Sequence, residues 1–279
     1  MREIIFRCSS IGKLMTEPVT VDPELVTDEI AEIQAKKKRT DEEKAILADA
    51  KARTLSEGAK TYIRGLVAQE IFGVDFEVSS RAMEKGIRCE GESIALLNRV
   101  RGLSLVKNTE RKTAHGLTGE CDLFNSQALG GHDLKTSWSI GTFPIVVADC
   151  VDSIYEWQMR GYIRLWNAER WYVDYALVNT PDDLIGYEPI TMHFVDHIPE
   201  HHRLTSWVVE RDLAKEAAMD IKIAAARTYY AQVLEEFDRT HQLGAAVVAN
   251  AAKTSRHATP KPQPQPAAPL QAVALPELF

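Results

Sequence analysis

The chain has 279 residues, of which 45% are hydrophobic, so it can bury one sizeable core. Its formal net charge of −7 argues against a protein that coats nucleic acid through bulk positive charge, although an acidic protein can still hold DNA in a local basic groove. The four cysteines are scattered without a CxxC pair and no apolar run is long enough to span a membrane, so we expect a soluble, cytoplasmic protein without a disulfide framework.

The first part of the chain is predicted to be mainly helical. A short helix is expected over about 9–15, and longer helices over about 28–53, 57–72 and 81–100, because charged and apolar residues recur there with helical spacing. The basic run at 36–39 is typical of an exposed helix end, and a DNA contact is the alternative interpretation.

Strands are predicted in the middle of the chain. Short runs at about 103–107, 116–124 and 132–137 are separated by Asn, Gly and Gln, as in strands joined by turns. Helical spacing returns over about 153–168, and an alternating aromatic and aliphatic run at about 171–178 predicts another strand. These elements indicate a small sheet next to a helix.

The composition changes in the last part of the chain. A strand is predicted at about 187–194 and a helix at about 200–239, after which Pro alternates with Gln, Lys and Ala in a segment that cannot form a core. We therefore predict one domain over 1–245, with a helical insertion at about 28–58, followed by a flexible Pro-rich tail over 246–279.

Two acidic residues and a lysine are candidates for a metal-dependent site. On a strand, Asp133 and Lys135 share one face while Leu134 turns toward the core. If Asp122 ends the neighbouring strand of a hairpin, its carboxylate lies beside that of Asp133, and two such groups can hold Mg²⁺. Lys135 would then orient a water nucleophile and stabilise negative charge on a phosphate. Asp-x-Lys alone is a weak signal, because a surface cross-strand pair has the same residues.

The order of polar residues around this hairpin is more specific than any one of them. Upstream, Glu90 lies on a predicted helix, and downstream, Gln158 and Tyr162 lie one turn apart on another helix. The order of helical Glu, strand Asp, strand Asp-x-Lys and helical Gln-x-x-x-Tyr resembles the PD-(D/E)XK nucleases, in particular their YqaJ-type, phage-lambda-exonuclease-like (RecB-like) branch. The similarity spans roughly residues 5–195.

The resemblance implies a fold and an activity. The fold is a restriction-endonuclease-like αβββαβ core of α/β (α+β) class, with a central mixed sheet flanked by helices. The activity is a Mg²⁺- or Mn²⁺-dependent exonuclease that hydrolyses linear double-stranded DNA from its ends, in phage-type recombination beside a single-strand annealing protein and as a homo-oligomer. The alternatives are a structure-specific endonuclease or nickase of the same fold, and a non-catalytic DNA-binding recombination scaffold.

The resemblance also assigns a role to each residue of the ordered set. The three carboxylates and one main-chain carbonyl would bind the metal, the lysine would be catalytic, and the glutamine and tyrosine would border the site or contact DNA. The assigned residues are Glu90, Asp122, Asp133, the main-chain carbonyl of Leu134, Lys135, Gln158 and Tyr162.

This chain departs from the family pattern at two positions, and one assignment has a rival. Cys121 replaces the proline of the name-giving motif, and Asp133 replaces the commoner glutamate. Glu92 competes with Glu90 for the helical acid, but the spacing from Gly86 favours Glu90.

Further DNA contacts are expected near both ends of this core. By resemblance, and because helix N-termini attract anions, we expect Ser9, Ser10 and Lys13 to receive a DNA phosphate. Simple capping of the first helix by a serine is the alternative. Arg160 is a further predicted DNA contact.

The terminal residues Leu275–Phe279 suggest a short docking peptide. They place three apolar side chains at the end of the Pro-rich linker and resemble bacterial sliding-clamp-binding peptides. We expect binding to a sliding clamp or another replication or recombination partner, and the alternative is a tail that packs on its own domain or has no role.

Overall fold

The computed structural model describes the backbone of residues 4–76 and 79–255. These residues divide into two units, one ending at Val233 and the other beginning at Leu234. Most of the predicted tail, including the docking peptide Leu275–Phe279, lies outside the described residues, so both stay predictions. No helix within the described ranges combines the length and apolar content that crossing a membrane requires.

Nine helices and seven strands are present in the described ranges, connected by loops and short 3₁₀ turns. The helices are α1 (Cys8–Ile11), α2 (Asp28–Ala35), α3 (Asp41–Arg53), α4 (Glu57–Phe72), α5 (Arg81–Arg88), α6 (Glu90–Arg101), α7 (Ser153–Trp166), α8 (Asp182–Ile185) and α9 (Leu213–Ser255). The strands are β1 (Phe6–Arg7), β2 (Arg111–Ala114), β3 (Leu117–Glu120), β4 (Leu123–Asn125), β5 (Gly130–Thr136), β6 (Arg170–Ala176) and β7 (Leu204–Glu210).

The strands form two mixed sheets. In the three-stranded sheet, β3 lies between parallel β1 and antiparallel β2. The four-stranded sheet has the order β4-β5-β6-β7, in which β5 and β6 are parallel and both outer pairs are antiparallel. The predicted class, mixed sheet flanked by helices, is confirmed, but the strands form two ladders instead of one. Only Cys121 and Asp122 separate β3 from β4, so the division falls at a predicted metal ligand.

Helix α7 packs against strands of both sheets, and two glycines make this close approach possible. A Cβ atom at Gly119 of β3 would lie 2.8 Å from the Tyr162 ring of α7. A Cβ atom at Gly161 would lie 2.9 Å from the sulfur of Cys8 in α1. Because neither contact is possible for a larger residue, these glycines allow α1, α7 and β3 to pack in direct contact. The packing brings the side chains of α7 to the edge where β3 ends.

The helical insertion predicted at about 28–58 contains α2 and α3, which pack together around a small apolar cluster of their own. Val21, Ile30 and Ala50 are buried in this cluster. Thr40 begins α3 with a capping box, in which its hydroxyl accepts from the Glu43 amide while the Glu43 carboxylate accepts from the Thr40 amide.

The prediction of a strand at about 103–107 is wrong. The Asn98 side chain accepts from the Leu105 amide at 3.0 Å and donates to the Leu105 carbonyl at 2.8 Å. Both main-chain groups of Leu105 are therefore bound to α6 and cannot enter a ladder. Strand β2 begins later, at Arg111.

Two element predictions in the second half of the chain are also wrong. The segment 187–194 contains a 3₁₀ turn after Pro189, whose fixed φ and missing N–H disfavour a paired strand. Strand β7 lies inside the helix predicted over 200–239. Its run Thr-Ser-Trp-Val-Val has strand-forming residues, and pairing with β6 outweighs any helical tendency there.

A buried lysine fixes α5 to the ends of β5 and β6. Lys85 is fully buried. Its Nζ atom donates to three main-chain carbonyls, those of Ser137 at 2.7 Å, Trp138 at 3.0 Å and Val178 at 2.9 Å. The helix predicted over 81–100 breaks at Cys89, where φ is −101° and ψ is 8°, and α6 begins at Glu90. Lys85 therefore helps to set where the helix carrying Glu90 begins.

Replacing Lys85 by methionine is expected to lower the free energy of unfolding by about 3 kcal/mol, because three buried carbonyls lose their donor. Urea unfolding followed by circular dichroism measures the change. Lys44→Met is the matched control, since Lys44 is exposed on α3, and it should change stability by less than about 0.5 kcal/mol. Equal stability of the two variants would contradict the stabilising role of the Lys85 hydrogen bonds.

Candidate active site

The hairpin of β4 and β5 brings Asp122 against β5. Leu123 pairs with His132, and the Leu134 amide donates to Asp122 Oδ2 at 2.7 Å. Within a strand, the N–H and C=O of one residue point toward the same neighbouring strand. The carbonyl of Leu134 is therefore directed to the side on which Asp122 lies. The predicted juxtaposition of Asp122 with the Asp133–Lys135 segment is present.

Asp133 is buried and held by side chains of α7. It is 2% exposed, and its Oδ1 atom accepts from Gln158 Nε2 at 3.2 Å. The same amide lies 3.1 Å from the Tyr162 hydroxyl, which donates to the Glu120 carbonyl at 3.2 Å. The one-turn spacing of Gln158 and Tyr162 thus produces a continuous chain of hydrogen bonds from Asp133 to the end of β3.

Lys135 lies on the same face of β5 as Asp133. Its Nζ atom is 2.7 Å from Asp133 Oδ2 and 4.3 Å from the centre of the Tyr155 ring. Burial lowers the pKa of Lys135, but the Asp133 carboxylate outweighs burial and the pKa is raised, so the amine is charged. Asp133 Oδ2 contacts this ammonium but accepts no well-aligned hydrogen bond, so the ion pair with Lys135 does not use all of its capacity to bind a cation.

The Asp122 carboxylate is destabilised by its surroundings. Burial and then the neighbouring Asp133 charge raise the pKa of Asp122 from 3.8 to about 7. The Leu134 amide and Lys135 offset this only in part, and Glu90 adds to the repulsion. Half-buried Asp122 and buried Asp133 carry two negative charges beside one lysine, so the site favours the binding of further positive charge.

Glu90 lies close enough to act on Asp122, whereas its rival does not. Glu90 begins α6, and its carboxylate contacts the Lys107 ammonium. Glu92 is exposed, and its charge raises the pKa of Cys89 by a smaller amount than burial does. This arrangement favours Glu90 over Glu92 as the helical acid.

Within residues 4–76 and 79–255, no three His, Cys, Asp or Glu side chains already converge to hold a metal ion. Glu90 is engaged by Lys107, which leaves the Asp122 and Asp133 carboxylates as a pair. Mg²⁺ is commonly bound through one or two carboxylates together with waters and phosphate oxygens. The pair, with the Leu134 carbonyl on the same side, therefore fits this ion.

The residues predicted to receive a DNA phosphate are divided between two places. Ser9 is exposed and lines a cavity of about 320 Å³ with Arg7, Arg111 and Tyr162, next to the hydrogen-bond chain of Asp133. Since α1 begins at Cys8 and its N-cap residue makes no side-chain cap, serine capping of this helix is not observed.

Ser10 and Lys13 face α4. The hydroxyl of Tyr62 is hydrogen-bonded to Ser10, which lowers the pKa of Tyr62 against a larger raising effect of burial. Lys13 Nζ lies 5.0 Å from the centre of the Tyr62 ring. The exposed ammonium of Lys13 stays free to contact a phosphate.

Arg160 is placed differently from its prediction. It is buried, its Nε and Nη2 atoms donate to Glu156 at 2.9 and 2.7 Å, and its Nη1 atom donates to the Glu210 carbonyl at 3.2 Å. Arg160 follows Gln158 by two positions on α7, so its side chain lies on the opposite face of the helix. The structure therefore corrects the predicted DNA contact: Arg160 joins α7 to the end of β7.

Sequence reasoning missed two residues of this site. Tyr155 lies three residues before Gln158 on α7, so helical spacing could have identified it. Lys107 lies in an irregular segment and belongs to no motif, and only the fold brings it to Glu90.

Replacing Asp122 by asparagine is expected to stabilise the metal-free protein at neutral pH, because it removes one of two adjacent, poorly solvated charges. The folded-state pKa of Asp122 lies above its unfolded value, so the wild type loses stability as pH rises from about 4 to about 7. In EDTA, we expect Asp122→Asn to gain roughly 2 kcal/mol at pH 8 and much less at pH 4.5.

Urea unfolding at the two pH values tests this expectation. Asp49→Asn is the control, because Asp49 is 61% exposed and pairs with Arg53 on α3, and it should change stability by less than about 0.5 kcal/mol. An Asp122→Asn protein that is less stable than the wild type at both pH values would refute the repulsion.

Solved structures of exonucleases share the fold of this chain. A crystal structure of a phage-related exonuclease from Haemophilus somnus 129PT matches with a TM-score of 0.70 and 29% identity, covering 85% of this chain and 97% of that chain. The alkaline exonuclease LHK-Exo from Laribacter hongkongensis shares the fold at 15% identity, with a TM-score of 0.51 and coverage of 88% and 96%. No protein-family model and no curated protein matches the chain. With the ordered residues gathered at one hairpin, the chain has the fold of these exonucleases and is similar to phage-lambda-exonuclease-like PD-(D/E)XK nucleases.

Proposed function

We propose that this chain is a Mg²⁺-dependent exodeoxyribonuclease that hydrolyses phosphodiester bonds of linear double-stranded DNA from its ends. The observation that carries the proposal is the pair of adjacent carboxylates, half-buried Asp122 and buried Asp133, beside charged Lys135, with the Asp122 charge compensated only in part. The similar phage-related exonuclease supports an exonuclease in particular.

The residues that would hold the metal are Asp122, Asp133 and the Leu134 carbonyl, with Glu90 reaching it directly or through water. A divalent ion there, Mg²⁺ or Mn²⁺, supplies Lewis-acid polarisation of the phosphate and lowers the pKa of a bound water. Gln158 fixes the orientation of Asp133 through its 3.2 Å hydrogen bond. Tyr162 in turn fixes Gln158, so the ligand geometry is set by α7.

Lys135 would act on the reacting groups. Its ammonium is held by Asp133 and the Tyr155 ring and keeps two further N–H donors for other acceptors. It can therefore orient the attacking water and stabilise the negative charge that develops on the phosphate. The cavity lined by Ser9, Arg7 and Arg111 offers donors for a neighbouring phosphate of the bound strand.

The wider biological setting rests on the family resemblance. Phage-type recombination in the cytoplasm, an annealing-protein partner and a homo-oligomeric assembly belong to this proposal on that ground alone. A sliding clamp or other partner at the tail is proposed instead from the apolar residues of Leu275–Phe279 and their likeness to clamp-binding peptides.

The activity is tested with the pure protein and end-labelled linear duplex DNA, with Mg²⁺ or with EDTA. We expect progressive release of terminal nucleotides only with Mg²⁺, and no loss of covalently closed circular duplex. Cleavage of the closed circle at a similar rate would indicate an endonuclease or nickase. Binding of DNA without any metal-dependent cleavage would indicate a scaffold.

Lys135→Met is expected to lower the rate of nucleotide release at least about 100-fold, because it removes the charge facing the reacting phosphate. The rate on linear duplex under Mg²⁺ measures the loss, with DNA binding as a second readout that should change little. Lys44→Met, at an exposed lysine paired with Asp41, should keep the wild-type rate. A Lys135→Met protein with near-normal activity would exclude this role.

A further inference from the structure

Lys107 places a positive charge among the acidic residues of the site. Its ammonium contacts the Glu90 carboxylate, and this hydrogen bond is the largest influence raising the pKa of Lys107. Asp122 and Glu120 raise the pKa further, so both lie within electrostatic reach. The Lys107 ammonium thus contacts one proposed metal ligand, Glu90, and is influenced electrostatically by another, Asp122.

The main chain around Lys107 is fixed to the site by two asparagines. Asn98 of α6 binds both main-chain groups of Leu105. The Asn108 amide donates to the Asp122 carbonyl at 2.7 Å, and its side chain donates to the Cys121 carbonyl at 3.2 Å. The segment is therefore bound to α6 on one side of Lys107 and to the residue pair joining β3 and β4 on the other. This anchoring holds the backbone of Lys107 where its side chain reaches Glu90.

The side chain of Lys107 can leave this position at little cost. It is 52% exposed, and its pair with Glu90 is partly open to solvent. Exposed ion pairs contribute little to stability, and a lysine stem has several rotatable bonds. Lys107 thus has a fixed backbone and a movable ammonium, so the ammonium can be displaced from Glu90 without moving the main chain.

We propose that Lys107 is a built-in competitor of the divalent cation: it binds Glu90 in the metal-free protein, and metal binding displaces it toward a DNA phosphate. The inference rests on the proposed function, since it concerns the same site. It also accounts for the absence of a preformed three-carboxylate cluster in the described ranges, because the third carboxylate is engaged by Lys107.

The test is a Mn²⁺ titration of the full-length protein without DNA, with free Mn²⁺ followed by electron paramagnetic resonance. Lys107→Gln should bind Mn²⁺ about fivefold more tightly than the wild type, because the competing charge is gone. Lys112→Gln is the matched control: it removes an equal charge from a nearby lysine that lies 3.8 Å from Glu110 and is not paired with Glu90. Its affinity should equal that of the wild type.

A double-mutant cycle makes the competition specific to Glu90. In a Glu90→Gln background, adding Lys107→Gln should no longer tighten Mn²⁺ binding. Unchanged or weaker binding by Lys107→Gln, or equal tightening by Lys112→Gln, would overturn the inference while leaving the metal site intact. A wild type that binds no Mn²⁺ would instead remove the metal dependence on which both proposals stand.

The second half of the inference concerns the displaced ammonium. In a Lys135→Met background, which keeps the DNA uncleaved, duplex binding is measured against salt concentration with Mn²⁺ and with EDTA. With Mn²⁺, Lys107→Gln should reduce the slope of log affinity against log salt by about one, as expected for one lost phosphate contact. With EDTA it should leave the slope unchanged. Equal slopes with Mn²⁺ would overturn the phosphate contact.

Discussion

The poor solvation and mutual repulsion of two adjacent carboxylates, half-buried Asp122 and buried Asp133, are the constraint around which this structure is built. Asp122 and Asp133 lie side by side where neither is well solvated, and burial with mutual repulsion holds the pKa of Asp122 near 7. Each nearby group reduces part of that cost: the Leu134 amide at Asp122, Gln158 at one Asp133 oxygen and Lys135 at the other. A chain selected only for stability would replace one carboxylate, whereas a metal site requires both.

The fold resists this repulsion by making β5 a central strand. All seven residues of β5, Gly130–Thr136, pair with Arg170–Ala176 of β6, and the start of β5 also pairs with β4. The alternation along the strand is therefore fixed, with Asp133 and Lys135 facing α7 and Leu134 packing against the apolar cluster of α6. A one-residue slip would exchange the two faces, so the same register that builds the core positions the charged groups.

Much of the site followed from local periodicity. Strand alternation predicted the shared face of Asp133 and Lys135, turn residues predicted the hairpin, and helical spacing predicted that Gln158 and Tyr162 act together. What could not be predicted depends on contacts between distant segments. Arg160 is buried because Glu210, fifty positions later, comes back beside α7, and Lys107 reaches Glu90 only through the anchored loop.

A second buried carboxylate in the same sheet shows that the poor compensation of Asp122 and Asp133 is not a general consequence of this fold. Asp174 of β6 is fully buried on the face of α6. Its Oδ2 atom lies 2.7 Å from His132 Nδ1. Its Oδ1 atom accepts a hydrogen bond from the Ser206 hydroxyl and lies 3.7 Å from Arg101 Nη2. Both oxygens are thus satisfied within the protein. The sheet can neutralise a buried carboxylate when its role is structural. On the α7 face, Lys135 and the Leu134 amide offset the cost of the Asp122 charge only in part, which marks this face as the one prepared for a cation from outside.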